Sequence, residues 1–444
     1  MAVWQRSADP PARPPIRQFE VAAAMLAETL EQVRLSPPKR TTYVRFALAT
    51  LAVIVAFKTF WFARWGSWAT RELADFDAFH IVAQRVWRGD LDQVYHFEAL
   101  LKMQMEAAGG MTSFMPWTYP PQYALLLAPF AFLPVGIGYL LFTAATLALY
   151  LVTLRAISSA NFAQVLVVLF PALAITIGCG QNGFLTGALI GLICLNVERR
   201  QWLAGLALGA MVIKPHLAIA VGLYLLATRR WIALATAALV VLTSSLLCTL
   251  LFGWQIWFAW LGSIRESASY LEQGFYPLFR MISAYAALYM AGFPASAAFW
   301  GQVAVAGLAL LAALVGAARG LSSKFTLGVT VMVSVMISPY AYDYDLPILG
   351  IGLALALPDL VRMASPRERD VTYGLILLAG AYGLLQSARL AVQFGQKVDL
   401  DQHFAPAIGG FALMALLLLL LKLLWSRQRW PLVLSCRTES MDSA

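Results

Sequence analysis

The stretch LATAALVVLTSSLLCTLL, residues 234 to 251, decides the fold class, because it contains no charge at all. FALMALLLLLL, residues 411 to 421, repeats the pattern. A span needs roughly 20 apolar residues to cross about 30 Å of hydrocarbon. In lipid only a helix or a closed barrel satisfies its own backbone polar groups. These runs are continuous rather than alternating, so helices are predicted.

Composition agrees. Hydrophobic residues make up 60% of the 444 and charged residues 12%, against about 25% charged in a soluble domain. The net charge of +9 is read as Lys and Arg collected in cytoplasmic loops, and no nucleic-acid partner is expected. Cys179, Cys194, Cys248 and Cys436 show neither a disulfide framework nor a metal spacing. The first apolar run starts only near Tyr43, so no cleaved signal peptide is read.

Outward from these runs, residues 1–42 read as a cytoplasmic tail, with an amphipathic helix over 16–35 through Ile16, Phe19, Ala23, Leu26, Leu30 and Val33. Residues 43–426 form the transmembrane domain and 427–444 a second cytoplasmic tail. Arg34, Lys39, Arg40 and Arg45 keep the amino terminus inside. A first span near 43–63 precedes a long outer loop, 64–118. Apolar segments follow near 119–133, 135–154, 163–177, 182–197, 202–213, 216–227 and 231–252. A second outer loop covers 253–298, and further spans lie near 299–318, 325–338, 345–361, 371–390 and 405–425. The expected fold is an all-α polytopic bundle of about 12 transmembrane helices with a long first extracytoplasmic loop.

Lys214-Pro215-His216 interrupts 202–227. Proline breaks a helix, and a lysine at mid-bilayer costs at least about 2.5 kcal/mol. Two short helices meeting at an outer turn avoid both costs. Arg199, Arg200, Arg229 and Arg230 then share the cytoplasmic side with Arg155, provided 119–133 does not cross. The competing arrangement makes 119–133 a true span and 202–227 a single one, which moves Arg155, Arg199 and Arg200 outside. The charge bias favours the first.

In that topology the unusual polar residues face one side. Asp75, Asp77 and His80 sit in the first outer loop, Gln181 and Asn182 in the turn Gly180-Gln181-Asn182-Gly183, and Lys214 and His216 at the helix break. Tyr340, Tyr342, Asp343 and Asp345 end another span, and Arg265, Glu266 and Arg280 lie in the second outer loop. Polar groups at the ends of membrane helices mark functional sites. Each also has a structural reading. Asp75 and Asp77 can cap the helix that follows, whose Phe79, Val82, Val86 and Trp87 can lie against the membrane. Lys214 can snorkel, Gln181 and Asn182 can satisfy helix ends, and Asp343 and Asp345 can start a helix. His96 and His403 have no partner pattern, and no zinc, phosphate-loop or dinucleotide motif is present.

Asp75-Phe76-Asp77-Ala78-Phe79-His80, with Ala83, Gly89 and Tyr95, resembles the first outer loop of glycosyltransferase family 87. Tyr119-Pro120-Pro121, Gly180-Gln181-Asn182-Gly183, Lys214-Pro215 and Ser338-Pro339-Tyr340 with Asp343-Tyr344-Asp345 extend the likeness over about residues 43–350. His80 departs from it, since many members carry an aromatic there. The resemblance implies a GT-C-type bundle with its active site at the outer face of the plasma (inner) membrane. It implies transfer of a hexose, mannose above all, from a polyprenyl-phosphate donor to a lipid or glycan acceptor hydroxyl. Asp75, directly before phenylalanine, matches the base, with Asp77 as second candidate. One base acting directly predicts inversion, with Lys214 and His216 on the departing phosphate and neither metal nor cofactor required. A lipid-linked-sugar flippase and a polysaccharide polymerase are the alternatives.

Overall fold

The computed structural model describes residues 28–30, 36–64, 73–108, 114–319, 321–394 and 405–425. Nearly all of the helix expected over 16–35, the tail 427–444, His403 and Cys436 lie outside the described residues.

Helix α1, Pro37–Phe62, is followed by two short helices of the first loop, α2, Asp75–Arg88, and α3, Phe97–Ala107. Then come α4, Pro121–Leu127, α5, Val135–Ser158, α6, Phe162–Cys179, α7, Gly183–Asn196, α8, Gln201–Ala210, α9, Ile219–Ala227, and α10, Trp231–Phe252. The second loop holds α11, Ile256–Glu272, and α12, Ala284–Met290. The chain closes with α13, Ala295–Ala318, α14, Ser323–Ser334, α15, Pro347–Met363, α16, Pro366–Phe394, and α17, Ile408–Trp425. Among the described residues there is no β-strand, only one isolated bridge between Met281 and Tyr342.

Six helical stretches are long and apolar enough to cross a membrane: α1, the Val135–Cys179 stretch that contains α5 and α6, α10, α13, α16 as far as Leu390, and α17. Among the described residues that measure gives six, against the expected number of about 12. The remaining apolar runs are cut into shorter helices, such as Pro121–Phe132, Gly183–Asn196, Gln201–Ile213 and Pro215–Ala227. Prolines and polar turns at 120–121, 180–183 and 214–215 make the cuts.

Close helix contacts fix the running directions. A Cβ on Gly187 would meet Tyr150 and Pro347, and one on Gly191 would meet Thr153 and Ile351. Helices α5, α7 and α15 therefore run parallel. Likewise, a Cβ on Gly205 would meet Ala233 and Thr236, while one on Gly209 would meet Ala237 and Val240. So α8 and α10 also run parallel, and the chain between them must double back. Residues 201–227 fold as two short helices with Lys214 at their junction, and Arg230 pairs with Glu198 at their shared far end. Single-span passage of 202–227 is thereby ruled out.

The bundle thus has two unlike ends. One gathers the 180–183 turn, Lys214 and the segment before α15. The other gathers Arg155, Arg199, Arg200, Arg229 and Arg230, together with Arg319, which donates to the Leu424 carbonyl at the foot of α17 (2.8 Å). Helix α2 lies across the first end. It closes on Gly89 in the left-handed region (φ 77°), where glycine pays no Cβ penalty. Its apolar side departs from expectation: Phe79 and Val82 are buried in protein rather than turned to the membrane, Val86 is half-buried, and Trp87 stays exposed. Phe79 packs edge-on to Trp117, Tyr119 and Tyr123, a geometry aromatic rings favour.

Candidate active site

The turn between α6 and α7 is the wedge that assembles the site. Gly180 has φ 69°, and a Cβ there would stand 2.6 Å from the Cβ of Phe76. A Cβ on Gly183 would stand 1.8 Å from the Tyr344 carbonyl oxygen. Only glycine lets the backbone approach so closely on both sides. The turn is thereby pressed between the segment carrying Asp75 and the one carrying Asp343 and Asp345.

Asp75 opens α2 and keeps part of its surface exposed. Gln181 Nε2 donates to its Oδ1 at 2.8 Å. Gln181 Oε1 in turn accepts from the Tyr119 hydroxyl (3.0 Å) and from the Asn182 backbone N–H (2.9 Å). Those contacts fix the Gln181 amide and, through it, one carboxylate oxygen. Among the described residues, no hydrogen bond reaches the other oxygen of Asp75. Burial raises the Asp75 pKa above its ordinary value, opposed by Arg280, the Gln181 bond and Lys214, and reinforced by Asp343. The result is a more basic carboxylate with one oxygen held and one open.

Asp77, two residues on, is fully buried and accepts from the Ala74 backbone N–H at 2.8 Å. It closes the helix start, as a good capping residue does. His80 lies one turn further along. Its Nε2 stands 3.0 Å from the Leu133 carbonyl oxygen and its Nδ1 3.4 Å from Gln84 Nε2. Donation from Nε2 to that carbonyl would leave Nδ1 as acceptor in a neutral ring, and burial lowers the His80 pKa, against the raising effects of the Leu133 contact and Asp77. These contacts of Asp77 and His80 fasten α2 to its surroundings.

Two buried ion pairs stand opposite. Lys214 Nζ donates to Asp345 Oδ1 at 2.7 Å, and Asp345 Oδ2 accepts from the Tyr342 N–H at 3.2 Å. Arg280 Nη2 and Nε donate to the two oxygens of Asp343, at 2.8 and 3.2 Å, and Nη2 lies 3.1 Å from Cys179 Sγ. Arg280 is carried here from the second loop by the Met281–Tyr342 bridge and by the Ile282 N–H donating to the Ala341 carbonyl at 2.9 Å. Burial works against its charge, but Asp343, Cys179 and Asp75 together leave its pKa raised. Gly383 of α16 makes room for the pair, since a Cβ there would sit 2.2 Å from Asp343 Oδ2.

Asn182 is enclosed, and neither atom of its amide has a hydrogen-bond partner; the same holds for the hydroxyl of Tyr123. An unmade hydrogen bond of this kind costs about 1–3 kcal/mol. His216 is half-buried beside Lys214 and Asp345. Tyr340 lies at the rim, packed edge-on to Tyr276. Glu266 is used elsewhere, accepting from the Phe97 N–H at 3.3 Å. No group of three or more His, Cys, Asp or Glu among the described residues is arranged to hold a metal ion.

Of the residues singled out in the sequence, Asp75, Gln181, Asn182, Lys214, Asp343 and Asp345 come together. Sequence reasoning gave Tyr119 and Tyr344 no role, and it placed Arg280 on the same outer side without assigning it to the site. The first two stand inside motifs noted above. Arg280 has no local signature, because its place depends on a long-range backbone bridge.

Long apolar helices around a buried, charge-paired polar site define a multi-pass membrane protein with a candidate catalytic end. Residues 117–339, half of the chain, match glycosyltransferase family 87, and the chain belongs to that family. The matched segment contains Tyr119, Gln181, Asn182, Lys214 and Arg280, and leaves out Asp75, Asp343 and Asp345. No curated protein and no solved structure matches the chain.

Proposed function

We propose that this glycosyltransferase moves a hexose, mannose above all, from a polyprenyl-phosphate donor to an acceptor hydroxyl on a lipid or glycan, with Asp75 as the base. The observation that carries the reading is the open oxygen of Asp75, facing a site that also holds Lys214 and Arg280. A family of glycosyltransferases embedded in apolar helices calls for a donor that itself resides in the membrane.

In this reaction the acceptor oxygen attacks the anomeric carbon, its proton passes to Asp75, and the carbon–phosphate oxygen bond breaks with its electrons left on the phosphate. A positioned base contributes typically 10² to 10⁴ in rate. A single displacement inverts the anomeric centre. The raised pKa of Asp75 suits the task, since the best base titrates close to the working pH. Gln181 orients the carboxylate, and Lys214 meets the phosphate as its charge grows. The arginine-rich end faces the cytoplasm by the positive-inside bias, so the site opens on the extracytoplasmic face of the plasma (inner) membrane. We read the whole as a GT-C-type bundle in which the shorter helices bring the number of spans toward 12.

Purified protein incubated with radiolabelled polyprenyl-phosphate mannose and membrane extract should yield a labelled product that is absent with Asp75→Asn. Label transferred equally by that variant overturns the assignment of the base. Label that only changes membrane side points to a flippase.

A further inference from the structure

We propose that Lys214 and Arg280 act as a pair on the donor's phosphate, forming a two-cation clamp that prefers a phosphate monoester to a diester. The proposal rests on the polyprenyl-phosphate reading above and adds Arg280 as the second cation, in the place that sequence gave to His216.

Geometry carries it. In both ion pairs the carboxylate is the deeper partner: Asp345 and Asp343 are each 1% exposed, while Lys214 is 7% and Arg280 17% exposed. The acids form a floor and the cations lie toward the accessible side. Both cations rest against one ring, with Lys214 Nζ 4.9 Å and the Arg280 guanidinium carbon 5.8 Å from the centre of Tyr344. Tyr344 lies between Asp343 and Asp345 in one tight turn, so a single turn spaces both cations. Neither cation is spent on its carboxylate. Lys214 has three N–H donors, and one is used on Asp345. The Nη1 edge of Arg280 donates to no group among the described residues.

A stabilising role alone explains this poorly. Buried ion pairs often contribute nothing over apolar packing of the same volume, and here there are two around one ring. Phosphate chemistry supplies the reason. The donor is a diester with one negative charge, and the departing group is a monoester with two near neutral pH. Bond breaking between the anomeric carbon and oxygen leaves the new charge on the phosphate, while the acceptor's proton goes to Asp75. A second cation therefore gains most as the bond breaks, and only such differential binding speeds the chemical step.

The test is binding of soluble short-chain probes to the purified full-length protein in detergent, with farnesyl phosphate as monoester, its methyl ester as diester and farnesol as neutral control. The wild type should hold the monoester at least about tenfold tighter than the diester, the value of one charge-assisted hydrogen bond. Removing a cation alone leaves a buried acid unpaired, so each pair is neutralised together, as Lys214→Gln with Asp345→Asn and Arg280→Gln with Asp343→Asn. Both double variants should lose the preference, leave farnesol unaffected and elute as the wild type does. Arg280→Lys should keep part of it. If the Arg280 double variant keeps the full preference, or if the wild type shows none, the clamp is wrong. A phosphate preference that behaves as expected, in a protein that transfers no sugar from any polyprenyl phosphate, leaves the clamp standing and removes the proposed function instead.

Discussion

Ion pairs at the two ends of the bundle use the same chemistry under opposite conditions. At the site end, Lys214–Asp345 and Arg280–Asp343 bury their carboxylates to 1% exposure. At the far end, Arg230–Glu198 leaves its acid 49% exposed, and Lys422–Glu368 leaves its base 66% exposed. An exposed pair contributes about 0–1 kcal/mol. Loss of one partner from a buried pair costs about 3–5 kcal/mol, because the other charge is stranded. On the proposed reading, the far end's charge sets orientation in the membrane, and the site end holds charge where it can act on a substrate.

The largest effect is expected at the carboxylate that belongs to neither pair. Asp75→Asn keeps size and the bond from Gln181 but cannot take a proton at neutral pH. Transfer should fall by about 10² to 10⁴, or roughly 3 to 5.5 kcal/mol of barrier. Asp77→Asn should keep most of the activity, because an amide oxygen still accepts from the Ala74 N–H. Initial rates of both variants at equal expression decide it. An inactive Asp77→Asn beside an active Asp75→Asn moves the base by two residues and breaks the contrast.

Asp345→Asn comes next, and its readout is stability. Lys214 loses its one ionic partner among the described residues, in a nearly closed site, so unfolding in detergent should become easier by about 3–5 kcal/mol. A change below about 1 kcal/mol would mean that the site-end pair is as wet as the far-end ones. Gly183→Ala should cost about 1–3 kcal/mol by overpacking, because the new methyl would stand 1.8 Å from the Tyr344 oxygen. The same thermal scan reads it, and an unchanged midpoint would show that the turn does not wedge the two segments together.

These residues also show how far sequence carries. Gly180-Gln181-Asn182-Gly183, Lys214-Pro215 and Asp343-Tyr344-Asp345 were legible as motifs because each interrupts an apolar run, where a polar residue needs a reason. The doubling back of 201–227 was legible for the same cause, through Lys214, Pro215 and the flanking arginines. What local patterns could not show was direction in space. Asp75 and Asp77 look equivalent in a string, yet one opens to the site and the other seals a helix end. His80 looks like a ligand, yet its Nε2 stands against the Leu133 carbonyl. Arg280 has only three-residue local structure and reaches Asp343 across 63 positions, a pairing that no periodicity encodes.

A smaller effect is expected at Gln181. Its amide donates to Asp75 and favours the charged form, so it holds the Asp75 pKa down against burial. Gln181→Leu removes that donor, and the pKa should rise further. The base works only when deprotonated, so activity increases with pH through this pKa, and the acid limb of the rate profile should move to higher pH. Activity above that limb should be partly retained, which separates a positioning residue from the base itself. An acid limb that stays in place would show that Gln181 does not act on Asp75.

The smallest effect tests the far end of the comparison. Glu198→Gln removes the acid that faces Arg230, close to where the re-entrant pair of helices begins and ends. Arg230 is 24% exposed on its side chain and its partner 49%, so water can replace most of what the carboxylate supplied. Salt weakens such a contact further, since exposed charges are screened over about 8 to 10 Å at ordinary ionic strength. Stability should change by less than about 1 kcal/mol, and less still in high salt, while transfer should stay at the wild-type rate because the site lies at the opposite end. If Glu198→Gln instead lowers transfer as strongly as a site substitution, the two ends are mechanically coupled through α8 and α9. The division of labour between orienting charge and acting charge would then have to be given up.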